Sequence, residues 1–421
     1  MKKLLLASVM LCSSALIFST PSKITINTAE KPVTNGWADM GELHYVSENV
    51  IIIDDEHFSS PRRKLNAFKN AIASGSVGNQ NLSDKPALII LSGTVDLSGG
   101  AVSDSDHSYF DQFDPTSHHR LHDDFMFDIG SNKTIIGVNN AKVAYGGLRI
   151  KAKEDFAAKN IIIRNINFWD AHGSTEYDTK VSKYSSKKAS ADQLVIEGLE
   201  DKSTKANYLY IPENIWIDHC TFSDGVCVDL DRNFNHDGAL DVKCCKNLTI
   251  SFCEFTNHDK VTLCGSSDKF ITPEEREITF HDNYYHGCVQ RMPRTRGGYF
   301  HLYNNVYDKI GTSNNSGASL GPGVGAQFIV ENNYFGKHAG YILRANDSSK
   351  AGTPSFYKIY AEGNKPELNG SNAENFTSHK VSEKPWQIQY KYTLKSADEA
   401  KVSVVNEAGA GAKVVIDGKE F

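Results

Sequence analysis

A chain of 421 residues with 45 Lys+Arg against 51 Asp+Glu carries a formal charge of −6. That balance provides no overall attraction for nucleic acid or an anionic membrane surface, so a polyanionic partner must be met by a local patch or a bridging cation. The length allows a large core in one domain or two.

The N-terminus reads MKKLLLASVMLCSSALIFSTPS. Lys2 and Lys3 precede an apolar stretch from Leu4 to Phe18, and the small residues Ser19 and Thr20 follow. This is the pattern of a secretory signal over residues 1–20, too short for a membrane span. Val9-Met10-Leu11 lacks the small residue expected before a lipidated cysteine, so Cys12 is not expected to carry an anchor. No later segment is apolar enough to cross a bilayer, and residues 21–421 are expected to form one domain. Its first helix is signalled by Ser60-Pro61 opening PRRKLNAFKNAIASG, a cap residue with Pro at the first helical position. That helix should cover one end of the fold before the strand PALIILSG.

From there a repeat runs through the chain. NIIIRNINF ends at Phe168, NIWIDHCTF at Phe222, NLTISFCEF at Phe255, ITFHDNYY at Tyr285, FHLYNNVY at Tyr307 and FIVENNYF at Phe335. Each is an aliphatic run, a polar pair and an aromatic; the last four intervals are 33, 30, 22 and 28 residues. Recurrence at that length signals stacked supersecondary units. Ile215 and Ile217 alternate with Trp216 and Asp218, so the units are strands. No amphipathic helix separates them. Cys220, Cys253, Asn283, Asn305 and Asn333 stand two residues before the aromatic, where small or amide side chains suit an internal ladder. The fold class expected is all-β: a right-handed parallel β-helix with an N-terminal capping helix and long inserted loops, its hand set by the crossover rule. Residues 174–188 and 312–325 read as such loops, and YKYTLKSADEAKVSVVNEAGAGAK as a segment closing the far end. Seven cysteines follow the signal, from Cys220 to Cys288, with no CxxC pair. They are expected to be small buried fillers with one disulfide, not a zinc or redox centre.

Three stretches could carry chemistry. In HDGALDVK, Asp237, Asp241 and Lys243 share one face of an extended strand while Leu240 and Val242 point the other way. Such carboxylates suit a hard cation, calcium first, but equally a glycosidase pair or a solvated face. Lys260, in NHDKVTLCGSSD, and Arg291, Arg294 and Arg296, in RMPRTR, begin or end later turns. Alone, RMPRTR is a solvated basic loop. Stacked beside the carboxylates it becomes one rung of a cationic strip for an acidic polymer.

NIWIDHCTFSD, HDGALDVKCCKNLTIS, NHDKVTLCGSSD and EITFHDNYYHGCVQRMPRTRGGYFHLYNNVY, in that order, resemble polysaccharide lyase family 1, the pectate lyases. The likeness is strong over residues 130–340. The resemblance implies a secreted, monomeric carbon–oxygen lyase cleaving polygalacturonate by calcium-dependent β-elimination to 4,5-unsaturated products, without nucleic acid or a membrane span. It assigns Arg291 as the catalytic base, Lys260, Arg296 and Lys243 to the substrate, and Asp192, Asp237 and Asp241 to Ca2+. Ser190 stands where the family often has a further acid, and Asp231 is a candidate for an additional ion. Asp218 and His219 of WIDH, and His258 and His281, read as local structure. The alternatives are a pectin lyase acting on methyl-esterified polymer without calcium, and a non-catalytic carbohydrate-binding β-helix. Guanidinium is an awkward base, since its pKa exceeds about 12; neighbouring cations would have to disfavour its charge, or hydroxide would take the proton.

Overall fold

The computed structural model of the protein describes residues 23–73, 84–111, 125–172, 177–178, 183–184, 192–228, 230, 236–314, 316–345, 357–367 and 380–421. The signal segment, Ser190 and Asp231 lie outside them.

Each repeat contributes short strands to a coil of three parallel sheets. One sheet stacks Met126–Ile129, Gly147–Lys151, Leu194–Glu197, Leu240–Val242, Leu263–Cys264 and Arg294–Thr295. A second contains Lys159–Arg164, Glu213–Asp218, Cys245–Ser251, Arg276–His281, Gly298–Tyr303 and Ala326–Glu331, in register rung on rung. The third carries the repeated aromatics, from Asn167–Trp169 to Tyr334–Phe335. The stacked parallel strands coil as a right-handed β-helix, the hand that parallel crossovers take. Ile161, Ile163, Ile215, Ile217, Leu248 and Ile250 point inward and are fully buried, as period two requires.

The corner between the second and third sheets explains the polar pair. Its first residue adopts a left-handed conformation on every rung: Asn165, His219, Phe252, Asp282, Asn304 and Asn332. Asn and Asp tolerate that region better than other side chains, hence their recurrence. The next residue turns inward. Asn283, Asn305, Asn333 and Asn364 form a ladder in which each Oδ1 accepts the backbone N–H of the rung before. Two residues on, Phe168, Phe222, Phe255, Tyr285, Tyr307 and Phe335 stack with ring centroids 4.7–4.9 Å apart, the spacing of parallel strands. Asn305→Ala strips the Asn283 N–H and the Phe280 carbonyl of buried partners. Unfolding free energy is expected to fall by about 2–4 kcal/mol, read as a lower denaturant midpoint; an unchanged midpoint contradicts the ladder's role.

Helix α1, Pro61–Ala73, packs Leu65, Phe68, Ala71 and Ile72 into the core, and Ser60 Oγ accepts the Arg63 N–H at its start. Three expectations need correction. Residues 312–325 are not simply an inserted loop: Ala318–Leu320 is a rung, paired with Tyr341–Leu343 and bridged to Gln290. The C-terminal segment does not close the far end. Helix α2, Ala397–Glu407, lies against Val306 and Tyr334, after which the chain runs back so that Val414–Ile416 pairs with Ile24–Ile26. The expected disulfide is absent among the described residues, where all seven cysteines are free thiols, six of them buried. Cys220 and Cys253 fill the ladder position on rungs without asparagine.

Candidate active site

The first sheet brings the sequence's candidates together. Leu194 pairs with Leu240 and Val195 with Asp241, so Asp192 falls beside Gly238, whose N–H donates to Asp192 Oδ1 at 2.6 Å. A Cβ at residue 238 would lie 2.6 Å from Asp241 Oδ1 and 2.8 Å from Asp192 Oδ1. Glycine therefore leaves open the space onto which both carboxylates converge. Asp237 adds a third; Ala239 and Leu240 are both buried, so the strand's alternation slips there while Asp237 and Asp241 still share a side. Burial, Asp241 and Asp237 push the Asp192 carboxyl well above the usual range. Burial and Asp237, opposed by Arg291, raise Asp241 to about 6. Three carboxylates converging on rigid strands, two of them with raised pKa, fit a hard divalent cation.

The cations occupy the neighbouring rungs. Lys260 is 2% exposed and its Nζ is bound to Asp237 Oδ1. Lys243 pairs with Glu197 at 2.6 Å, and Arg296 with Asp268 at 2.6 Å and the Gly265 carbonyl at 2.9 Å. Arg291 has φ 65° and its carbonyl accepts the Thr262 N–H; its Nε finds no hydrogen-bond partner among the described residues. Burial, Arg291 and Arg296 lower the Arg294 guanidinium to about 10. Thus Arg291 faces the carboxylates with free donors, whereas the three proposed substrate contacts have intramolecular partners that a ligand must exchange.

A groove of about 970 Å³ beside Lys243 is lined by Lys151, Lys153, Glu197 and Tyr210. On the other side Arg291 and Arg294 share a cleft of about 270 Å³ with Gln290 and Arg344. Sequence reading missed Glu197 and Arg344. Glu197 was legible from its place five residues after Asp192 on the same run; Arg344 stands on a rung with no motif. Asp218 is buried in an ion pair with Arg164 at 2.7 Å and His219 at 2.6 Å, and His281 bonds Asp282 and the Thr34 carbonyl, so both are local structure.

The raised carboxyls would give cation binding at this cluster a pH dependence. A cation must displace any proton on Asp241, which is held below about pH 6. Affinity therefore weakens as pH falls and these carboxyls take up protons. Calorimetric titration is expected to show binding at pH 5 weaker than at pH 7.5 by about tenfold or more; equal affinities contradict the assignment.

A family model described as pectate lyase matches residues 62–413. A pectate trisaccharide-lyase of Thermotoga maritima is 40% identical over 193 residues, 44% of this chain and 43% of its own length. One from Thermotoga sp. strain RQ2 is 34% identical over 318 residues, covering 68% of this chain and 73% of that one. The match thus spans less than half of the first relative and nearly three quarters of the second. The solved structure of the thermostable pectate lyase PL 47 superposes with TM-score 0.62 at 26% identity, covering 90% of this chain and 97% of that one.

Proposed function

The chain belongs to the pectate lyase family, and on that premise we propose that it is a secreted enzyme cleaving polygalacturonate by β-elimination with Ca2+ held by Asp192, Asp237 and Asp241. The observation that carries this reading is the convergence of the Asp192, Asp237 and Asp241 carboxylates near Arg291, whose Nε has no hydrogen-bond partner among the described residues.

The bond cleaved is C4–O, after loss of the C5 proton α to the uronate carboxylate. Bound Ca2+ would neutralise that carboxylate and stabilise the enolate-like charge as it develops. Lys260, on the rung after Asp237, supplies a second positive charge to the same group once it exchanges Asp237 for substrate. Arg291 takes the proton; C4=C5 forms, and the leaving oxygen is protonated from solvent. Arg291 lies close enough to Asp241 to favour the carboxylate's charged form. Arg294 lies within Coulombic reach of both Arg291 and Arg296, so like charges crowd this side of the site. Lys243 and Arg296 flank this centre and would bind neighbouring sugar carboxylates along the groove.

The carboxylate set favours pectate over methyl-esterified pectin, since a neutral ester has no need of a bridging cation. Mass spectrometry of polygalacturonate digests tests the reaction: elimination yields fragments one water lighter than hydrolysis does. Hydrolytic masses, or intact polymer at every pH, overturn the proposal. Lys260→Ala is expected to lower kcat/KM by about 10²–10³-fold without weakening calcium, because it removes the ammonium that competes for Asp237. Weaker calcium binding in that variant would instead mark Lys260 as a structural support of the carboxylates.

A further inference from the structure

A second cluster of chemistry-bearing groups lies outside this centre. His107, Asp170, His172 and Cys227 each place one donor atom within 4.8 Å of the others. They come from three separate parts of the chain: the stretch following strand Ala87–Asp96, the end of the rung Asn167–Trp169, and the loop after Thr221–Ser223. We propose that these four side chains form a binding site for a zinc-like transition-metal ion, distinct from the calcium carboxylates.

The donor set points to that class. One thiol, two imidazoles and one carboxylate suit a borderline-soft ion in four-coordinate geometry, and calcium prefers oxygen donors throughout. Tetrahedral donors bonded at about 2.0–2.3 Å lie roughly 3.3–3.8 Å apart. The present contacts already approach those edges: His107 Nε2 is 2.8 Å from Asp170 Oδ2 and Cys227 Sγ is 3.7 Å from His107 Nε2, while His172 Nδ1 is 3.7 Å from the carboxylate's other oxygen.

The surroundings are built to hold those positions. Asp170 is fully buried and His172 is 8% exposed. The loop bearing His107 is tied down by Asp104, which accepts the Tyr145 hydroxyl and Trp169 Nε1, each at 2.8 Å. On the Cys227 side, Gly225 has φ 67°, and a Cβ there would lie 2.8 Å from the Asp170 Cβ. The loop can pass this close only as glycine. Asp170 Oδ1 also accepts from His236 Nε2 at 2.8 Å. That leaves Oδ2 for the ion and supplies the outer hydrogen bond that fixes a ligating carboxylate. From His236 the polar contacts continue through Asp224 and His258 to the Asp237 carbonyl. The second site therefore abuts the first without sharing a ligand.

The test uses the full secreted chain in excess Ca2+, so that the aspartate site is filled. The wild type, loaded with ZnCl2 and dialysed, is expected to retain one zinc per chain by elemental analysis. CoCl2 in its place should produce the near-ultraviolet thiolate-to-cobalt band and intense visible bands of a tetrahedral ion. Cys227→Ser and His107→Gln, both at partly exposed positions, should lose at least nine tenths of the retained zinc, and Cys227→Ser the thiolate band. Asp241→Asn should keep both. No retained zinc in the wild type overturns the proposal. So does zinc retained equally by the Cys227 and His107 variants, or lost from the Asp241 variant instead.

Discussion

Arg291→Ala is expected to lower kcat on polygalacturonate by about 10³-fold or more, with calcium affinity changed by no more than a few fold. Arg291 is set by its backbone rather than by side-chain bonds. Its φ of 65° is held where the 291 carbonyl receives the Thr262 N–H, and its Nε has no partner among the described residues. Truncation therefore removes a reacting group without opening a hydrogen-bond network, and folding should be preserved. Arg291→Lys should retain part of the activity, because an ammonium in the same field can shed its proton at lower pH than a guanidinium. If Arg291 only held charge while hydroxide acted, the lysine variant would match the wild type and keep the same pH profile. Single-turnover rates across pH separate the two: the base reading predicts that the lysine variant's alkaline limb moves to lower pH.

Asp241→Asn is expected to weaken calcium by about 10²-fold or more, and to reduce activity at a fixed calcium concentration correspondingly. Asp241 Oδ1 accepts the Leu263 N–H at 2.9 Å, a bond that the asparagine oxygen can keep. The rung therefore survives while one negative charge leaves the site. Because the loss acts through the ion, added calcium should recover most of kcat. Arg291→Ala should show no such recovery. A loss of kcat in Asp241→Asn that calcium cannot reverse would mean that Asp241 acts on substrate or on Arg291 directly.

The repeat was legible because its physics is local. Period two, a residue tolerating the left-handed corner, an inward amide and an aromatic recur on each rung, so Asn283, Asn305 and Asn333 could be read as a ladder before any register was known. The carboxylate pair Asp237 and Asp241 was legible on one strand, but its alternatives were not separable. Only the pairing of Leu194 with Leu240 carries Asp192 across to Gly238 and closes the three-carboxylate cluster. Partners were not legible: alternation says which face Lys260 and Lys243 occupy, not that they pair with Asp237 and Glu197. The rung Ala318–Leu320 was hidden in a stretch of Gly, Ser and Pro that reads as loop, and its pairing alone makes it a strand. His107, Asp170, His172 and Cys227 have no ligand spacing in the sequence, because three separate segments bring them together.

Cation-dependent elimination at Asp192, Asp237 and Asp241, with Arg291 beside them, is the central step to test. The most direct measurement is the rate of unsaturated, ultraviolet-absorbing product from polygalacturonate as free calcium is varied with a chelator, in wild type and Asp241→Asn. Wild-type activity should vanish on calcium removal and return on readdition, with the variant's curve displaced to about 10²-fold higher calcium. Undiminished product after thorough calcium removal, or coincident curves for the two proteins, would contradict it.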